Sequence, residues 1–430
     1  MKRLLFGQCL LLVASMSLAF AEAGEVHQKL STVARQVSVN NCVEKLTEVT
    51  AALDGLTAAD YLAEFGQVEK LREDLWSDKL ALHEKLRSFH AGEGLVKDCA
   101  NAFRATLRAL RTVEDYAQEF QLRNNPNNVA FPAHAWVEGN PHVKRSPRYS
   151  NFNLNTDLKS GDIILSRGNA YTSAAISQLG EFDTQFSHMS IVHVDEKGAI
   201  WTSEAHIEVG SFVRTLREHI ADENRRIMVF RFNDEAVAKR AGDMIFEKVK
   251  THSRRFGNIK YDFNFSMEEN RRLFCSELIS HAYEIASEGS VQLPHVKSQL
   301  QLRKPTFVEK LEITAAESFI PADIEVDPRF EVVAEWRDAN RVVDMFEKDT
   351  LMQSVYDWND RLNYQLIQGS NRTSVLYRNV VWPLRRVPLL RNYFRDKLPI
   401  NMSRRLVGYF GVIEGIGELL QAKLKTENRR

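Results

Sequence analysis

Net charge is what this sequence lacks: 57 lysines and arginines are matched by 57 aspartates and glutamates over 430 residues. Without a basic surplus there is no general footprint for nucleic acid, and no nucleic-acid partner is expected. Internal repeats and low-complexity tracts are absent too, so the chain reads as two or three ordinary domains with ample core. The apolar stretch that follows Met1-Lys2-Arg3 and closes near Ala19-Phe20-Ala21 falls short of the roughly 20 residues a spanning helix needs. A positive start, a short apolar run and a small-residue end form a secretory signal, residues 1–21, cleaved after about Ala21. Cys9, inside that run, is not preceded by the small residues of a lipoprotein signal. The expected location is the periplasm or cell envelope.

Cysteine is scarce as well. Three of the four remain after the signal: Cys42, Cys99 and Cys275. An oxidising compartment allows one pair, and Cys42 and Cys99, both in helical-looking N-terminal sequence, are the candidates for it. They could equally be small buried residues. Cys275 is the odd thiol in either case.

The mature chain divides into a helical domain (22–123), a linker (124–154), a mixed domain (155–340) and a helical C-terminal segment (341–430). In the first, Leu71, Leu75, Leu82 and Leu86, then Phe103, Leu107 and Leu110, recur at helical spacing, which ordinary bundle packing explains. Asn124-Asn-Pro-Asn-Asn128 and the prolines through Pro147 read as a linker or extended wrap. From Leu158 the period changes. Strands are expected over Gly161–Ser166, Ser187–Val194, Ala199–Ala205 and Ile227–Phe232, with helices over Thr172–Leu179, Glu235–Lys250 and from Cys275 onward. The fold class is α+β, with a mainly antiparallel sheet. The last segment is basic: from Asn371 onward 13 lysines and arginines stand against 4 acidic residues. Its Trp382-Pro-Leu-Arg-Arg-Val-Pro-Leu-Leu-Arg-Asn-Tyr-Phe-Arg395 run suits an anionic lipid surface, or a cap pairing with acidic helices.

Cys275 opens a helical run, where the helix dipole favours thiolate, and a histidine from another element could pair with it. On the expected strand His188, Ser190 and Val192 share one face and His193 the other, so a metal site built on both histidines is disfavoured and none is expected. If the hairpin pairs residues whose numbers sum to about 392, His188 lies opposite Glu204, which then accepts the second imidazole proton. His206 and Glu208 share that parity and are substitutes. The stripe Cys275, Ile279, Ala282 aims the sulfur toward the strand carrying His188. The expected roles are Cys275 as nucleophile, His188 as base, Glu204 as its orienting carboxylate, and Tyr261 with backbone N–H groups as oxyanion donors. Ser276 is the rival nucleophile. Taken singly, a structural thiol and a core histidine explain Cys275 and His188; together in one domain they favour chemistry.

Gly161-Asp-Ile-Ile-Leu, Ser187-His188-Met-Ser-Ile-Val, Ser203-Glu204-Ala, Tyr261-Asp-Phe263, Phe274-Cys275-Ser-Glu-Leu-Ile and Pro321-Ala-Asp323 occur in an order that resembles the circularly permuted, NlpC-like branch of papain-like cysteine amidases, YiiX-like in type. The histidine strand precedes the cysteine helix. The resemblance covers roughly 155–340 and implies a permuted papain-like domain between helical flanks. It further implies His188 as base, Glu204 as third member, Cys275 as nucleophile, Tyr261 at the site's edge, amide or acyl-bond hydrolysis, and no cofactor. Peptidoglycan peptides are the leading substrate. A lipid amidase or acyltransferase, touching membrane through the basic tail, and a non-catalytic envelope binding protein are the alternatives.

Overall fold

The computed structural model describes residues 27–56, 68–89, 95–124, 143–181, 183–221, 224–268, 271–300, 309–338, 341–362, 379–380, 382–384, 387, 390 and 402–427. The expected signal (1–21) lies outside them, as does most of the Trp382–Arg395 run. The chain groups into two compact units, Met1–Ala133 with Glu325–Val332, and His134–Ile324 with Val333–Arg430.

In the first unit α1 (Cys42–Asp54), α2 (Val68–Ser88) and α3 (Lys97–Asn124) bury Leu46, Leu53, Leu75, Leu82, Leu86, Phe103 and Leu107. The 3.6-residue period puts these side chains on one stripe of each helix, and packing of the stripes against one another is what makes the helices stable. The interior is not purely apolar. Lys79 Nζ meets Glu114 Oε2 at 2.6 Å, and Arg111 pairs with Glu325, all of them buried. Cys42 and Cys99 form a disulfide across 57 residues of sequence, tying the start of α1 to α3. Closing so long a loop restricts the unfolded chain, so the Cys42→Ser, Cys99→Ser double variant is expected to lose about 2–5 kcal/mol of stability in urea unfolding. A loss of under 0.5 kcal/mol would contradict this.

The second unit is built on a seven-stranded sheet in the order β1-β9-β6-β2-β3-β4-β5. Its strands are β1 (Val143–Arg145), β2 (Ile163–Arg167), β3 (His188–Val194), β4 (Ile200–His206), β5 (Gly210–Thr215), β6 (Arg226–Phe232) and β9 (Phe330–Arg337), while β7 (Ser298–Gln299) and β8 (Glu317–Ser318) make a separate small pair. The β1–β9, β2–β6, β2–β3, β3–β4 and β4–β5 pairings are antiparallel. The fold is thus α+β with an antiparallel sheet between helical flanks, as a permuted papain-like domain requires.

Alternation along the strands gives the sheet two faces. Ile164, Val192, Ile227 and Val229 pack with Phe152, Leu158, Leu216, Ile220 and Trp336 on one of them. The other receives α6 (Glu235–Phe256) and α7 (Cys275–Ala286): His193 stacks on Phe246 at 4.1 Å between ring centroids, and Phe232 meets Tyr283 edge-on at 5.0 Å. Asp234 caps α6 by accepting from the Ala236 and Val237 N–H groups. The Gly161-Asp162 pair is structural. Gly161 has φ +92°, and a Cβ there would lie 2.1 Å from the Ala238 carbonyl oxygen. Asp162, buried beside it, accepts both Arg231 Nε at 2.8 Å and Nη2 at 2.7 Å.

Two boundaries drawn from the sequence are corrected. Residues 143–154 are not linker, because β1 pairs with β9 and Phe152 and Leu154 are buried in the core. Nor is 341–430 a separate segment, since 333–430 belong to the unit that holds the sheet. The change of charge at the C-terminus does not mark a domain edge there. α8 (Val342–Arg361) and α9 (Arg404–Glu427) bury Met345, Met352, Val355, Tyr356, Leu406, Val412 and Ile413. Both pack on α4 (Tyr171–Ser177); α5 (Leu216–Ala221) follows β5.

Candidate active site

Cys275 is the first residue of α7. Phe274 ahead of it is extended, and its N–H is taken by Glu277 Oε2 at 3.3 Å, which starts the helix at this position. Leu278, Ile279 and Ala282 bury the helix against β3 and β4. The sulfur lies 3.8 Å from Ser276 Oγ, and the Met189 and Ser276 backbone N–H groups are directed at it. Only 5% of Cys275 is exposed, and this burial pushes the thiol above its ordinary value despite those hydrogen bonds. The expected thiolate at the helix start is therefore corrected: removal from water outweighs the dipole. Ser276 is fully buried and does not line the cleft.

His188 opens β3, and its Nε2 lies 2.9 Å from Glu204 Oε2. The expected register is off by two residues in the numbering sum. Ile191 pairs with Ser203 and Val192 with Thr202, because Asp195 Oδ1 accepts the Lys197 and Ala199 N–H groups and shapes a longer loop that ends at Gly198, φ +79°. An even shift preserves the face, so Glu204 stays on the side of His188 but diagonal to it. His206 is the one brought edge-on to His188, with ring centroids 4.5 Å apart.

Glu204 is fully buried and serves as a hub. It accepts from His188 and His206 at 2.9 Å each on Oε2, and from His219 at 2.9 Å and Thr202 at 2.5 Å on Oε1. Arg214 spans both oxygens at 2.7 and 2.8 Å. Burial alone would raise its carboxyl; the charge of His219 and hydrogen bonds from three imidazoles outweigh that and hold it well below the usual carboxylate range. Burial, with His206 repelling a second cation, pulls His188 down to about 4. His206, which burial would also lower, is raised by Glu204 and Glu208. Perturbed pKa values of this kind cluster at functional sites.

His188, Cys275 and Tyr261 line one cleft of about 860 Å³ with Asn169, Thr172, Ser173, Glu208 and Arg214. Burial and the neighbouring Cys275 and Glu208 charges keep the Tyr261 phenol protonated, far above its ordinary value. The side chain of His188 shares the Glu204 face of the sheet, while α7 packs on the other, and the two residues line a common cleft at the end of the sheet where β3 begins. Among the described residues no hydrogen bond joins them, and His188 Nδ1 has no protein partner. His193 points the other way, to Asp243 Oδ1 at 2.8 Å. The donor atoms of His188, Glu204 and His206 lie within 4.8 Å of one another, a spacing that metal ligands share. The Arg214 guanidinium on both Glu204 oxygens already supplies the positive charge there.

His219 and Arg214 were not foreseen, nor was the strand β5 that carries Arg214. An alternating Ser211-Phe-Val-Arg-Thr run was the available signal; the structure pairs Thr202 with Arg214 across β4 and β5.

The histidine strand precedes the cysteine helix, and that helix packs on the antiparallel sheet to which the strand belongs. Residues 157–334 match the family model described as permuted papain-like amidase enzyme, YaeF/YiiX, C92 family, so this part of the chain is similar to that family. The match supports a hydrolase of the papain-like amidase kind. No curated protein and no solved structure matches the chain.

Proposed function

We propose that the protein is an exported thiol amidase that cleaves an amide bond in a polar, peptide-like substrate, with cell-wall peptides the leading class. The observation that carries this is the shared cleft: Cys275, His188 and Tyr261 line it together, and Glu204 holds the imidazole from behind. With Nε2–H donated to Glu204, Nδ1 is the atom free to take a proton. Substrate binding closes the gap between sulfur and imidazole, as is common for sites that tighten only in the complex. The Cys275 sulfur then attacks the amide carbon as its proton passes to His188 Nδ1. The oxyanion is met by the Tyr261 hydroxyl and backbone N–H groups beside Cys275. Collapse breaks the C–N bond, His188 returns the proton to the leaving amine, and a thioester remains. Water attacks the thioester, gives its proton to His188 and releases the acid; the thiol is regenerated.

Export is supported by the N-terminal sequence and by the Cys42–Cys99 disulfide, a bond typical of oxidising compartments. Hydroxyl, amide and charged side chains along the cleft suit peptide better than a long acyl chain. The basic tail favours the second reading, an acyl-lipid substrate at a membrane surface. Incubating the wild type with purified peptidoglycan and, separately, with envelope lipids, followed by mass spectrometry, decides between them. New amine and carboxyl termini in the peptide arm are expected; products in the lipid arm alone would overturn the peptide assignment.

The resting pair is a neutral thiol and a neutral imidazole, so the acidic limb of kcat/KM reports loss of the base. His188 must be unprotonated, and raising the pH through about 4 should switch activity on. A limb near 6.5 in the measured profile would place the base elsewhere.

A further inference from the structure

The wall of the cleft that carries Asn169, Thr172 and Ser173 is the start of α4, and its own sequence leaves that start uncapped: Ala170, at the N-cap position, has no side-chain acceptor. The acceptor comes from α9, more than two hundred residues away. Glu414 Oε1 takes the Thr172 N–H and hydroxyl at 2.6 Å each, and Oε2 takes the Tyr171 N–H at 3.2 Å. Tyr171 in turn donates its hydroxyl to Gln421 Oε1 at 3.0 Å. Its ring lies so close to α9 that a Cβ on Gly417 would fall 2.3 Å from ring carbons. From α8, Lys348 Nζ donates to the Asn169 carbonyl at 2.8 Å and to its side-chain oxygen at 2.7 Å. The hydrogen bonds from Glu414, Gln421 and Lys348 all come from α8 or α9, which lie outside the 157–334 stretch that the family model matches.

We infer that the C-terminal helices complete the substrate cleft, with Glu414 as the positioning residue that fixes the Ala170–Thr172 turn and so sets what size of group reaches Cys275. The inference rests on the hydrolase reading for its meaning in turnover, but the width of the cleft has its own readout. Tyr171 and Thr172 are held through backbone groups, so loss of the Glu414 carboxylate frees the chain itself rather than one side chain. A displacement of an ångström in a wall that orients substrate costs binding, whereas the proton transfers between Cys275 and His188, on other elements, are left as they were.

Two measurements on the full chain test this. The first compares alkylation of Cys275 by iodoacetamide and by a bulky N-aryl maleimide at one pH, where thiol ionisation cancels in the ratio of rates. For Glu414→Ala that ratio is expected to shift at least about fivefold, and for Glu414→Gln, which keeps one acceptor oxygen, by less. The second is steady-state kinetics: Glu414→Ala is expected to raise KM about fivefold or more, with kcat within about twofold and the acidic limb unmoved. If Glu414→Ala does not fold, Gln421→Ala removes the Tyr171 hydroxyl's acceptor and the same ratio decides. A lower melting temperature with ratio and KM within about twofold of wild type would make Glu414 merely structural and overturn the inference. A wild type without Cys275-dependent turnover would instead defeat the hydrolase reading, while the alkylation ratio still decides the role of Glu414.

Discussion

Cys275→Ala is expected to lower kcat by about 10⁴-fold or more, to the level of the uncatalysed reaction plus whatever the oxyanion donors contribute on their own. The size follows from the chemistry. Without the sulfur no thioester forms, and His188 has no bound nucleophile to deprotonate. Ser276 cannot substitute, because it is fully buried and its hydroxyl is turned to the sulfur rather than to the cleft. Folding is expected to survive. The change deletes one atom whose contacts are a neighbouring hydroxyl and backbone N–H groups, and alanine is a better helix former than cysteine. Turnover measured by mass spectrometry beside a thermal melt checks both halves. Activity within tenfold of wild type would move the nucleophile to another residue.

Much of this was legible in the chain, and what was missed has a physical cause. Strand alternation around His188 placed Glu204 on the correct face, since parity survives any even change of register. It could not place the partner directly opposite, because that depends on how Asp195 shapes the loop. The sequence of Cys275 announced a helix start but not how deeply the sulfur would be buried, and depth decides the sign of its pKa shift. Arg214 and His219 arrive from β5 and α5, neither of which carries a long periodic pattern. The C-terminal segment was legible as helical, but its inward role escaped notice for a different reason. Its charge suggests a surface role, while its apolar residues and Glu414 do their work inward, on a turn distant in sequence.

The second large effect is expected at Glu204, where stability and catalysis are joined. Glu204→Ala leaves the Arg214 guanidinium and three imidazoles facing a cavity with no negative charge, and should destabilise the protein by about 3–5 kcal/mol, as removal of one partner from a buried ion pair does. Glu204→Gln keeps the volume but offers one acceptor oxygen where two carboxylate oxygens served five side chains. His188 then loses the group that fixes its Nε2–H, and kcat is expected to fall about 10²–10⁴-fold even where the fold holds. The pH dependence separates the two roles. The folded pKa of Glu204 lies below its unfolded value of 4.5, so its contribution is fully present above that value and is lost as the pH falls through the folded pKa. His188, depressed to about 4 from 6.5, destabilises the fold as the pH falls from 6.5 to about 4, a window that opens above that of Glu204, because the unfolded chain binds its proton first. The gap in urea unfolding between wild type and Glu204→Gln should therefore be full at pH values above 4.5 and shrink as the pH falls below 4.5 toward the folded pKa of Glu204. A gap that stays constant from pH 7 to pH 3 would mean that Glu204 is not held as a carboxylate, and the site would need a different source of orientation for His188.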